Sequence, residues 1–270
     1  MVKIIGDKQS IRSVGSIDNT ENASNVSHAG LSELSLSDEN IALMTEVAEF
    51  SALEKDRSKI IYPEMKNSRL ANSFRDLRNI LLEKSPGNNA AIMVTSVLPE
   101  SGGTFVSVNL AAAFAFDGSK TALLVDANLS SPGICQYFGT EYGVGVTDFL
   151  ENKHMKVEEI IYSSGVKRLR VIPAGKHSEY TSEYLSSERI GMFIHTLKSR
   201  YKDRYIVIDA PPLSDPASAK QVFNLCDWVV VVAPYGKVGG SEIAAAIEGI
   251  PKDKLAGVLI NDEPVIRDSL

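Results

Sequence analysis

Short unbroken runs of Val, Ile and Leu recur from residue 90 to residue 261, each followed by a stretch of helical character. Strands this uniformly apolar are buried on both faces, which requires helices above and below a parallel sheet. The pattern predicts strands over 91–95, 121–126, 169–173, 205–209, 228–233 and 256–261. It predicts helices over 104–117, 183–199, 217–224 and 241–248. The fold class is therefore α/β: a doubly wound, mostly parallel sheet with helices on both faces. In such sheets ligands bind beyond the carboxyl ends of the strands. Several runs end there in a polar residue: Thr95 with Ser96, Asp126, Asp209 and Asn261.

The first of these ends opens the stretch IMVTSVLPESGGTFVSVNL at 92–110. A strand, a Gly-rich turn and a helix starting near Thr104 are the layout in which backbone N–H groups cradle an anion. The candidate cradle is Gly102, Gly103, Thr104 and Phe105. The pattern G-x-x-x-x-G-K-[ST] is not met, because Gly103 stands where the lysine should be and the first glycine is missing. In a nucleotide-hydrolysing site the hydroxyl after the loop holds Mg²⁺, and a strand-end carboxylate orients the metal-bound water or activates the nucleophile. Thr104, Asp126 and Asp209 are the candidates for those roles, with Asp126 and Asp209 the candidate catalytic acids.

The net charge of −6 argues against nucleic acid as the main partner, since phosphate backbones call for a basic face. Cys135 and Cys226 stand apart without metal-ligand spacing, which predicts two reduced, buried thiols. No run reaches the roughly 20 apolar residues of a membrane span, and the N-terminus lacks the apolar region of a signal peptide. A cytoplasmic protein is expected, reaching the inner face of the membrane only through a partner. Residues 1–60 are serine-rich and proline-free, a disordered or partly helical segment. A helix is predicted from Ser37, with Asp38 and Glu39 in its first turn and Leu43, Val47 and Phe50 on one face. The α/β domain takes 61–270 and begins with a helix over 68–84, where Leu70, Phe74, Leu77 and Leu81 form one stripe.

Motifs spanning about Arg69 to Asp262 resemble the bacterial polysaccharide tyrosine autokinases, a family within the P-loop ATPases that include the septum-site and partition proteins. They are FRDLRNILL at 74–82, VTS at 94–96, VNLAAAFA at 108–115, LLVDANL at 123–129 and VIDAPP at 207–212. The resemblance implies a P-loop NTPase-like fold and Mg-ATP or Mg-ADP wherever the loop is functional. It also implies oligomers and a membrane-embedded co-polymerase or export component as partner. The family's loop lysine is replaced by Gly103, the second acid of its D-x-D segment by Asn128, and the basic residues after it by Ser130 and Ser131. Each unit-charge interaction at about 5 Å is on the order of 3 kcal/mol at an effective dielectric of ~20, so losing a cation and gaining a carboxylate nearby both disfavour a polyanion. The tail ends without the family's tyrosine cluster, the last tyrosine being Tyr235. The subunit-joining E-x-x-R-x-x-R motif reads Asn72-x-x-Arg75-x-x-Arg78, which keeps Arg75 and Arg78 as candidate oligomerisation residues. These departures point to a regulator or scaffold of exopolysaccharide or capsule biosynthesis with no certain cofactor, forming homo-oligomers or pairing with an active homologue. The alternatives are an active tyrosine kinase or ATPase of the same family, and a positioning ATPase of the partition class.

Overall fold

A computed structural model describes residues 3–5, 49–65, 69–85, 89–118, 120–139, 141–200 and 204–262. The helix expected from Ser37 and most of the N-terminal segment lie outside the described residues. The strands are β1 (Lys3–Ile5), β2 (Ala91–Ser96), β3 (Thr121–Asp126), β4 (Tyr162–Ser163), β5 (Leu169–Ile172), β6 (Arg204–Asp209), β7 (Trp228–Pro234) and β8 (Leu255–Asn261). They form one sheet in the order β1-β8-β7-β2-β6-β3-β5-β4. The pairs from β8 through β5 are parallel, and the two edge strands run antiparallel to their neighbours. The doubly wound, mostly parallel sheet expected from the apolar runs is what the chain builds.

Two helices cover one face of the sheet. Helix α2 (Arg69–Lys84) follows the short α1 (Ala52–Arg57) and buries Phe74, Leu77 and Leu81, the stripe read from the sequence. It packs on α3 (Gly103–Ala115), whose residues from Val106 to Ala115 are all buried. A helix apolar all round must lie between two layers, and the run Ala111–Ala113 gives it the small surface that such packing needs. Phe114 stacks on Tyr205 of β6 with ring centroids 4.4 Å apart. Truncating Phe74, fully buried at the α2–α3 contact, costs about 3–5 kcal/mol by the usual scale for core aromatics.

The chain before α2 is fastened to α3 by one buried side chain. Asn109 accepts from the Ile61 amide at 2.8 Å and donates to the Lys59 carbonyl at 3.1 Å and the Phe105 carbonyl at 2.9 Å. Every polar atom of that amide is thereby satisfied in the core.

The short α4 (Cys135–Phe138) buries Phe138 in the core of the α2–α3 face, while the opposite face carries α5 (Val146–Glu151), α6 (Thr181–Ser186), α7 (Glu188–Arg200), α8 (Pro216–Leu225) and α9 (Gly240–Ile247). Here one expectation is corrected. The helix predicted over 183–199 is two helices, broken at Ser187, whose backbone is extended at φ −72° and ψ 149°. The Ser187 side chain and amide both bond the Tyr184 carbonyl, at 2.7 and 3.2 Å, so the first helix closes on itself before the second begins. The break lets α6 pack on α8 while α7 packs against β6. Strands β1 and β4, with three and two residues, are too short to leave a period in the sequence.

Candidate phosphate-loop site

Strand β2 delivers the chain to the middle of the sheet's carboxyl edge, between the ends of β6 and β7. The turn that follows holds Glu100 at φ 57° and Gly102 at φ 89°, and α3 starts at Gly103. Gly102 is required there. A Cβ on it would lie 2.2 Å from Asn261 Nδ2, the atom that donates to the Ser101 carbonyl at 3.0 Å and holds the turn down. Gly103 is not required on those grounds. A Cβ there would sit 3.6 Å from the Ser96 side chain, an ordinary contact, so the backbone leaves room for a side chain where the lysine is absent.

The first turn of α3 faces the end of β6. Thr104 Oγ1 donates to Asp209 Oδ2 at 2.7 Å, and Ser107 Oγ donates to Asp209 Oδ1 at 2.8 Å. Ser107 escaped the sequence reading. Its signal is its spacing of three from Thr104, which places both hydroxyls on one helical face. Burial pushes the Asp209 carboxyl up to about 6, against the opposing pull of the two hydroxyls.

Asp126 stands opposite Asp209 in the β3–β6 register but is bound differently. Its Oδ1 accepts from the Asn128 amide at 3.2 Å, and its Oδ2 from the amides of Gly133 and Ile134 at 3.1 and 3.2 Å. Burial, and next the charge of Asp209, hold its carboxyl well above the usual carboxylate range, while the three amides pull it down. The Asp126 carboxylate thus closes the loop at 127–134 onto its own strand.

Between these elements opens a cavity of about 550 Å³, lined by Glu100, Gly102, Thr104, Phe105, Asn128 and Asp209 among others. Asp215 at the start of α8 adds a third carboxylate, and among the described residues no Lys, Arg or His lines the cavity. Asn128 Oδ1 is buried without a hydrogen-bond partner. Three carboxylates and an unpaired acceptor form a donor set that repels polyphosphate, and the helix N-terminus alone faces them with positive potential. Thr104 and Asp209 offer the oxygen ligands that a Mg²⁺ ion takes, whereas no cationic side chain among the described lining residues would meet the phosphates of a nucleotide.

Other candidates lie elsewhere. Phe105 lines the cavity and meets Phe74 edge-on at 6.0 Å, tying the loop to α2. Arg75 donates to Asn72 Oδ1 and the Pro63 carbonyl at 2.8 and 3.2 Å. Arg78 donates to the Ala113 carbonyl and Asn79 Oδ1, both at 3.1 Å. Both arginines anchor α2 to its surroundings, and the structure does not bring them to the cavity. Cys226 is buried as expected, whereas Cys135 is only half-buried on α4. No helix among the described residues is long and apolar enough to cross a membrane.

No family model matches the chain. The tyrosine-protein kinase YwqD of Bacillus subtilis is 29% identical over 222 residues, covering 81% of this chain and 91% of that protein. The succinoglycan biosynthesis transport protein ExoP of Rhizobium meliloti is 25% identical over 205 residues, 72% of this chain but 25% of that longer protein. The crystal structure of the chimerical protein CapA2B2 shares the fold, with a TM-score of 0.68 at 24% identity over 81% of this chain and 92% of that one. The strand ends, the Gly-rich turn and these likenesses together make the chain a homologue of the bacterial tyrosine-protein kinases.

Proposed function

We propose that this chain is a non-phosphorylating regulator or scaffold of exopolysaccharide or capsule biosynthesis that keeps the kinase fold without its phosphoryl transfer. The observation that carries the reading is the cavity itself: Glu100, Asp209 and Asp215 line it, and no cationic side chain among the described residues does. The similarity to ExoP, a succinoglycan biosynthesis transport protein, supports the pathway. In this reading the chain pairs with an active homologue or with itself, and meets the membrane through an export component at the inner face of the membrane. Arg75 and Arg78 already bond Asn72, Pro63, Asn79 and Ala113 of this chain, so a subunit contact would use their remaining N–H groups or compete with these bonds.

The retained hydroxyl–carboxylate pair of Thr104 and Asp209 favours a second reading, an ATP-dependent enzyme of the same family. Calorimetric titration with Mg-ATP and Mg-ADP separates the two. The scaffold reading expects no binding up to about 1 mM, which is a standard free energy weaker than about −4 kcal/mol. Gly103→Lys, which the backbone accommodates, should then bring measurable binding. Micromolar binding by the native chain that disappears in Thr104→Val overturns the scaffold reading.

A further inference from the structure

The tripeptide Ser-Glu-Tyr occurs twice in succession, at 178–180 and 182–184. The fold treats the two tyrosines differently. Tyr184 lies within α6 and is half-buried, its hydroxyl donating to Glu151 Oε1 and accepting from Ser178 Oγ at 3.3 Å. Tyr180 stands just before that helix with 62% of its surface exposed, against 48% for Tyr235, the other exposed tyrosine among the described residues. Its hydroxyl has no hydrogen bond among the described residues, and it closes an irregular connection running from Ile172 to Thr181. The backbone around it is free to be read. The connection is held up to Lys176, whose amide donates to Asp148 Oδ2 at 3.2 Å; from His177 to Tyr180 only the Tyr180 amide is bonded among the described residues, to Ser178 Oγ at 3.2 Å, while its carbonyl starts α6 by accepting from the Tyr184 amide at 3.1 Å.

We propose that Tyr180 is a tyrosine-phosphorylation site, modified by an active kinase of the homologous class held against this chain. The proposal rests on the reading of the chain as a non-phosphorylating companion of such a kinase. In the step, the phenolic oxygen attacks the γ-phosphorus of ATP on the kinase. The bond from that phosphorus to the bridging oxygen breaks, ADP leaves, and the phenolic proton passes to the kinase's base or to water. The product adds about −1.5 to −2 charges beside Glu179. The modified segment is also connected to the cavity. Ser182, two residues on, places its hydroxyl 3.4 Å from that of Ser218, and α8, which carries Ser218, is capped by the cavity-lining Asp215. Phosphate at Tyr180 therefore places negative charge at the start of α6, the helix that packs on α8.

The test incubates the full chain with Mg-ATP and an active homologue such as YwqD, and locates phosphotyrosine by mass spectrometry. Label on Tyr180, lost in Tyr180→Phe and kept in Tyr184→Phe, is the expected result. Tyr180 is exposed, so the substitution leaves the fold intact, and circular dichroism checks that it does. Label that persists in Tyr180→Phe overturns the proposal, as does an unlabelled chain beside a kinase that labels itself. Incubation with Mg-ATP and no second kinase tells the two readings apart. Label appearing on Tyr180 there keeps the acceptor site and overturns the non-phosphorylating reading; none appearing leaves that reading standing with the transferred label as its complement.

Discussion

Asp126 and Asp209 close neighbouring parallel strands, face each other in the register and are both buried, yet the chain holds them by different chemistry. Asp126 is gripped by three backbone amides of the loop that follows its own strand. Asp209 is gripped by two side-chain hydroxyls from another element, the first turn of α3. Amides fixed by the backbone cannot turn to other partners, whereas hydroxyls rotate and can be recruited elsewhere. Two similar strand endings, Leu-Val-Asp and Val-Ile-Asp, therefore yield one carboxylate that shapes the fold and another that lines the cavity.

The largest effect expected from this contrast is at Asp126. Asp126→Ala leaves three amides without an acceptor in a buried loop, and each orphaned donor costs about 1–3 kcal/mol. A loss of about 3–5 kcal/mol in urea unfolding is expected. Asp126→Asn keeps an acceptor for Gly133 and Ile134 and should cost about 1–2 kcal/mol. Equal damage from both substitutions would break the comparison, because the charge rather than the acceptor would then be what the loop needs.

Asp209 should behave in the opposite way. Its folded carboxyl titrates at about 6, above the ordinary 3.8, so between those values the native state binds more protons than the unfolded chain. Its contribution to stability is therefore full below about pH 4, falls as pH rises toward 6, and stays low above it. Asp209→Asn removes that fall and should be more stable than the native chain above pH 6, by on the order of 2 kcal/mol. Its amide still accepts from one hydroxyl and donates to the other. Parallel pH profiles of the two proteins by thermal unfolding decide this, and a variant less stable at pH 7 would sink it.

Asn128 lines the cavity with Asp209, and its amide donates to Asp126. Its Oδ1 is buried without a donor, and Asn128→Asp would place a charge there beside Asp126. A loss of about 1–2 kcal/mol at pH 7, shrinking in acid as the new carboxyl takes up a proton, is expected. The same variant with Gly103→Lys should recover part of that loss, because the lysine supplies the missing counter-charge.

The strands were legible because burial on both faces leaves only Val, Ile and Leu at most of their positions. The α2 stripe was legible because Leu70, Phe74, Leu77 and Leu81 repeat at helical spacing. Strands β1 and β4 were not, because two or three residues set no period, and the break at Ser187 was not, because serine there reads equally as helix interior or cap. At the site, the two acids could be found by their strand ends. Which groups would bind them could not, since the amides of Gly133 and Ile134 reach Asp126 only through a loop conformation that side-chain chemistry does not encode. Asn109 stayed hidden for a related reason: its partners, Lys59 and Ile61, lie about fifty residues away in sequence.

The smallest effect is the sharpest test of whether the hydroxyl set is exchangeable. Ser107→Ala removes one of the two donors to Asp209, and its hydroxyl is already shared with the Gly103 carbonyl at 3.1 Å. Because Thr104 still donates to the other oxygen, the loss should be about 1 kcal/mol or less. The titration should move more than the stability. A hydroxyl that favours the charged carboxylate is gone, so the Asp209 carboxyl rises further and the fall in stability extends above pH 6. If instead Ser107→Ala destabilises as much as Asp126→Ala at every pH, the hydroxyls are as rigid a clamp as the amides. Asp209 would then be a second fold-shaping carboxylate, and the cavity would have no acid free to respond to a ligand.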